Sequence, residues 1–154
     1  MWVAGLGQVA AGDDGVGLRV IELLMQADLP EGVSLHRLAD PVELVPLLGT
    51  GEAGVVVDAV LAAPPGVTRV LTEDELDPSP SAAVSSHGLS VLQAVRLARA
   101  IHPAVRPVTF VAIQIAAPTA HHHGLSPDVE AAALEAAALV LATAQAGGIT
   151  TLRP

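Results

Sequence analysis

The chain has 154 residues, 51% of them hydrophobic, and carries a net charge of -9 from sixteen acidic residues against seven arginines and no lysine. That length suits one domain with one core, the charge would repel a phosphate backbone and so argues against a nucleic-acid partner, and no apolar run reaches the ~18 residues of a bilayer span. Without cysteine there is no disulfide framework, thiolate metal site or cysteine nucleophile, and the N-terminus shows no basic segment leading into an apolar stretch, so the expected compartment is the cytoplasm.

In chain order, Met1 to Leu6 predicts a short buried strand. Glycines at 5, 7, 12, 15 and 17 then surround Asp13 and Asp14 in a loop. Val16 to Met25 has helical spacing, with Arg19 and Glu22 on the wet face. Val33 to Leu38 alternates as a second strand, and Val42 to Leu48 fits a short helix. Gly54 to Val60, β-branched and continuous, predicts a central strand that Pro64, Pro65 and Gly66 close. Val67 to Leu71 reads as a strand suited to an edge, and the acidic, Pro- and Ser-rich stretch Thr72 to Ser86 as a surface loop. Gly88 to Ile101 is helical with Leu89, Val91, Leu92, Val95 and Ala98 inward, and Pro103 stops it. Val108 to Ile115 is a strand. Ser126 to Ala146 is a long helix with Ser126 as N-cap, Pro127 at its first position and Gly147 and Gly148 at its end. Strands separated by helices predict a three-layer α/β fold, a mostly parallel sheet covered on both faces, in which ligands gather beyond the carboxyl ends of the strands.

That rule selects Asp14 after the first strand, Asp58 at the end of the central strand and His87 before a helix. Two carboxylates and an imidazole are a donor set that suits nickel, zinc, manganese or iron. Each has a plainer reading. Asp58 caps a nearby helix in that reading, although an ionised group on so apolar a strand is costly unless paired or coordinated. His87 bonds a backbone amide, and either Asp13 or Asp14 caps the helix opening near Gly15. His121, His122 and His123 cannot all face one ion from ordinary backbone, and read as a loop that brings at most one of them near the site. Asp40 and Glu43 suit helix initiation, and Arg19, Arg96 and Arg99 solvated helix faces. No HExxH, GxSxG or GxxxxGK[ST] pattern is present. Gly5, Gly7 and Ala10 satisfy the GxGxx[GA] dinucleotide fingerprint, but that motif needs its helix to begin within it, and here Gly12 to Gly15 intervene and bring two carboxylates toward the phosphates.

Four segments together resemble the hydrogenase maturation endopeptidases, which trim the C-terminal extension of nickel-iron hydrogenase large subunits. GLGQVAAGDDGVGLRVIELL is similar to the family's opening GxGNxxxxDDGxG, GVVVDAV to its central strand ending in Asp, SSHGLSVLQAV to its SxHxxxLxxxL segment, and HGLSPDVEAAALEAAALVL to its GLSPxV close. The resemblance implies an aspartic-type endopeptidase acting as a monomer on a nickel-iron hydrogenase large-subunit precursor. It also implies that Asp14, Asp58 and His87 form the catalytic and nickel-binding trio, the nickel being carried by the substrate. Two departures stand out: Gln8 replaces the usual Asn, and RLADPVEL replaces an Asp-Gly-Gly-Thr type turn implicated in substrate handling. The competing expectations are a relative that binds metal or a subunit without cutting, favoured by that second departure, and a Rossmann-type dinucleotide enzyme.

Overall fold

The computed structural model describes residues 1–76, 90–117 and 123–146. Its strands are β1 (Trp2–Leu6), β2 (Ser34–Leu38), β3 (Gly54–Leu61), β4 (Thr68–Leu71) and β5 (Val108–Ile115). Its α-helices are α1 (Val16–Met25), α2 (Leu44–Leu48), α3 (Val91–Ile101) and α4 (Pro127–Gln145). The strands form one five-stranded sheet in the order β2-β1-β3-β5-β4. Every pairing is parallel except β4 with β5, where Thr68 to Leu71 run antiparallel to Ile113 to Phe110. A hairpin-like return from β3 makes this possible, since the Pro64 to Gly66 turn reverses the chain without a crossover helix.

Alternation along the central strands decides which helix covers which face. Val55 and Val57 point with Val3 toward α1 and α4, where they bury against Val20, Ile21, Val129 and Ala136. Val56 points with Trp2, Ala4 and Leu6 to the other face, covered by α2 and α3 through Leu44, Leu48, Val95 and Ala98. A sheet buried on both faces explains why β3 and β5 read as continuous apolar runs. At ~1.5–3 kcal/mol per fully buried Val, Leu or Ile, this double layer is the main stabilising term.

The close approach of β1 and α1 depends on glycine. A Cβ on Gly5 would collide with the Gly17 carbonyl, and one on Gly17 with the carbonyls of Leu6 and Val57. The helix therefore packs backbone to backbone on the sheet, directly below the loop that carries Asp13 and Asp14.

Several expected details shift: the helix expected from Val42 starts at Leu44 after a 3-10 turn, Pro41–Glu43, and β3 runs one residue further, to Leu61. The Thr72 to Ser86 loop begins with a turn of 3-10 helix, Glu73–Glu75, because Thr72 and Glu75 form a reciprocal capping box. The helix expected from Gly88 starts at Val91, where Ser90 caps it by accepting from the Gln93 amide and Gln93 returns the contact. Ser126 lies at the head of α4 but makes no side-chain cap to it. Gly147 and Gly148 lie outside the described residues.

Candidate functional site

β1 ends at Leu6 and the chain turns sharply. Gly7 takes φ +144, a conformation open to glycine, and a Cβ there would strike the Asp14 carbonyl. Its amide still donates to Leu38 at 3.2 Å, so the turn stays tied to β2. Beyond it, a turn of 3-10 helix, Gly12–Gly15, carries the two aspartates, and α1 starts only at Val16. The turn that meets Gly7 presents the Asp14 carbonyl and two carboxylates, where a dinucleotide fingerprint would offer free helix amides to a phosphate.

The two aspartates part company here. Asp13 turns toward α4: one carboxylate oxygen accepts the Ser126 amide at 2.6 Å and the other accepts the Ser126 hydroxyl at 2.9 Å. Asp14 turns toward the strand ends and accepts the Gln8 amide at 3.2 Å. Neither caps α1, whose N-terminus has no side-chain cap.

Asp58 lies where β3 loses its neighbour. β1 pairs with β3 only as far as Gly5 with Val57, while β5 continues beside β3 to Leu61. Asp58 thus sits at the point where the sheet opens, with Ala59 donating its amide to the Asp58 carboxylate at 2.8 Å. It caps no helix.

Asp14 and Asp58 line one cleft of about 370 Å³ at the carboxyl ends of β1 and β3. Its walls are mostly apolar and include Pro41, Leu61, Leu71, Leu76, Val91 and Phe110. Glu75 is the other acidic residue on its described lining, and among the described residues no Arg or His reaches it. The electrostatics follow directly. Burial pushes the Asp58 carboxyl up to about 7, with the Asp14 charge adding to the rise and the Ala59 hydrogen bond opposing it. Burial also raises Asp14, against the hydrogen bond from Gln8. Glu75 is held below the usual glutamate range by the Thr72 amide and hydroxyl, each at 2.7 Å. The cleft accordingly presents two carboxyls that are reluctant to ionise and have no described cation beside them, an arrangement suited to an incoming positive charge.

His87 and its neighbours to Leu89, and His121 and His122, lie outside the described residues. Among the described residues no three His, Asp or Glu side chains converge as a metal cage. His123 is exposed and does not line the cleft. Asp40 and Glu43 initiate a helix as expected: Asp40 accepts from Val42 at 2.8 Å, and Glu43 from the Ala39 and Asp40 amides at 3.0 and 2.9 Å. The RLADPVEL departure nevertheless reaches the cleft, since Ala39 and Pro41 line it.

Two of the arginines expected on solvated helix faces are there, partly exposed, and form ion pairs as well. Arg19 grips Glu130 on α4 with two nitrogens at 3.0 and 2.8 Å, and Arg99 pairs with Glu73 at 2.6 Å. Glu75 was readable in advance from the Thr-x-x-Glu spacing of a capping box; its place on the cleft wall was not.

The family model described as hydrogenase maturation protease, HycI, matches residues 18–143. No curated protein matches the sequence. The fold is similar to that of the hydrogenase maturating endopeptidase HybD from Escherichia coli, with 24% identity, a TM-score of 0.76 and coverage of 96% of this chain and 93% of that one. It is similar also to the [NiFe] hydrogenase maturation protease HycI from Thermococcus kodakarensis KOD1, with 21% identity, a TM-score of 0.72 and coverage of 92% and 89%.

Proposed function

The chain belongs to the hydrogenase maturation protease family, a family of endopeptidases, and from that premise we propose that it removes the C-terminal extension of a nickel-iron hydrogenase large-subunit precursor once nickel has been inserted. The observation that carries this reading is the meeting of Asp14 and Asp58, from separate strand ends, in a cleft with no described cation. Such a pair is short of positive charge, and a nickel ion arriving as the substrate's cargo supplies it. His87 completes the proposed set as an imidazole donor; the described chain resumes on the cleft wall at Ser90, in the same SSHGLS segment.

In this reading Asp14, Asp58 and His87 grip the precursor through its nickel and bring the scissile bond into the cleft, and the aspartic-type character of the site comes from the two carboxylates. A metal in contact with the scissile carbonyl would polarise it toward attack by water. Asp58 acts as a gate on this capture, because it must release its proton to bind the cation. No described helix is long and apolar enough to cross a membrane, and we place the protein in the cytoplasm, acting as a monomer.

The test is incubation with a nickel-loaded precursor large subunit and, in parallel, with the nickel-free precursor. Shortening of the loaded form alone is expected. A second reading, a relative that binds without cutting, draws on the Ala39 and Pro41 wall, where a capped helix start replaces the family's Gly-Gly turn. Tight nickel-dependent association with an uncut precursor would favour that reading and overturn the first.

A further inference from the structure

Within the cleft, β3 outruns β1. The pairing of β1 ends at Val57, while β5 stays in register with β3 through Leu61. The direction of the free groups is fixed by the ladder. Ala53 on this strand's approach accepts from Trp2 of β1, whereas Ala62 donates to Ile115 of β5. Successive residues alternate sides, so the backbone of Ala59 and Leu61 faces away from β5, into the space that β1 has vacated.

The Ala59 amide is taken by the Asp58 carboxylate. The Ala59 carbonyl and the Leu61 amide and carbonyl have no partner among the described residues. Two acceptors and a donor in extended geometry are a ready edge for another strand. Leu61 is 42% exposed there, an apolar side chain at the mouth of the cleft. At its inner end the same edge terminates on Asp58, beside Asp14.

We propose that the stretch of substrate chain next to the scissile bond binds as an added strand on the β3 edge at Ala59 to Leu61. The inference deepens the proteolytic reading above and rests on it. Charge complementarity fixes the occupant: the segment must be extended to meet these backbone groups, and must bring its positive charge to the inner end, where the carboxylates lie. Main-chain pairing would let the cleft hold the chain regardless of its side chains, while the cation sets where along that chain the cut falls. The short β1 leaves this edge open, since a β1 paired with β3 as far as Leu61 would cover it.

The experiment uses the full chain and a nickel-loaded large-subunit precursor. Leu61→Pro deletes the free donor but spares the bonds to β5, which run through Val60 and Ala62, and proline is tolerated where a strand amide faces outward. The loss of one such hydrogen bond is expected to raise KM roughly fivefold with kcat little changed. Leu61→Ala keeps the donor and is expected to raise KM less. Independently of either variant, hydrogen exchange at the wild-type Leu61 amide should slow when the precursor binds. A folded Leu61→Pro with the wild-type KM, or an unprotected Leu61 amide in the complex, overturns the proposal. A wild-type chain that binds the precursor, protects Leu61 and leaves the precursor uncut overturns the proteolytic reading alone. Failure to bind overturns both, and a dimer that Leu61→Pro dissolves would give the edge to a second copy of the chain instead.

Discussion

Asp13 and Ser126 stand 113 residues apart in sequence and are joined by two hydrogen bonds, one to the amide and one to the hydroxyl of the serine. The carboxylate thereby satisfies a donor at the N-terminus of α4, where the helix dipole favours negative charge, and fastens the acidic loop to that helix. Asp13→Ala is expected to destabilise the fold by ~1–3 kcal/mol, because it strands the Ser126 amide. Ser126→Ala keeps that amide bonded and should cost ~1 kcal/mol. Arg19 and Glu130 link α1 to α4 as well, but both are about a third exposed, so Arg19→Ala should cost ~0.5 kcal/mol. Urea unfolding of the three variants gives the ranking, and an Asp13→Ala as stable as wild type would show that the clasp holds nothing.

Gly17 makes a sharper prediction. A Cβ there would meet the carbonyls of Leu6 and Val57, backbone atoms of two strands that have no flexible end to yield. Gly17→Ala would ordinarily favour a helix by ~1 kcal/mol. Here it is expected to destabilise by more than ~3 kcal/mol, since α1 must lift from the sheet. Thermal unfolding decides it: a raised midpoint would mean that α1 does not pack backbone to backbone on β1.

Much of this is legible in the amino-acid sequence. The boundaries of α1 follow from a clean apolar stripe between a glycine loop and a polar stretch, and β3 and β5 follow from β-branched runs too short for helices. Asp58 was recognisable because a carboxylate at an apolar strand end is costly without a purpose, whereas the residues alone left Asp13 and Asp14 equivalent and the family resemblance chose Asp14. What sequence pattern could not carry was contact across distance. Nothing near Asp13 points to Ser126, nothing near Arg19 points to Glu130, and the cleft wall is gathered from Pro41, Leu76 and Phe110, each of which reads locally as ordinary core or turn. The place where β1 stops beside β3 was equally hidden, because pairing length depends on register, not on either strand alone.

Removal of either cleft carboxylate tests the proposed nickel grip. Asp58→Ala and Asp14→Ala should each abolish cleavage of the nickel-loaded precursor and weaken nickel-dependent association at least tenfold, while His123→Ala, exposed and away from the cleft, should do neither. Pull-down of loaded and unloaded precursor beside the cleavage assay separates binding from chemistry. A fully active Asp58→Ala would remove Asp58 from the set.

The pH dependence of Asp58 has a definite sign. Its carboxyl holds a proton more tightly in the folded chain, at about 7, than its ordinary value of 3.8. The folded state therefore binds more protons than the unfolded one between those values, and the contribution to stability, full below 3.8, is lost as pH rises through about 7. A unit of pKa corresponds to about 1.4 kcal/mol, and because the Asp58 side chain keeps some contact with solvent the realised effect should be ~2 kcal/mol. Asp58→Asn should accordingly match wild type near pH 4 and exceed it by ~2 kcal/mol at pH 8, measured by urea unfolding at both. Cation capture runs the opposite way, since the ligand must be ionised. Wild-type association with the nickel-loaded precursor should strengthen severalfold from pH 6 to pH 8, and Asp58→Asn should be weak and flat across that range. A wild-type affinity indifferent to pH, with the stability difference present, would mean that Asp58 is destabilised by burial for some purpose other than holding the metal.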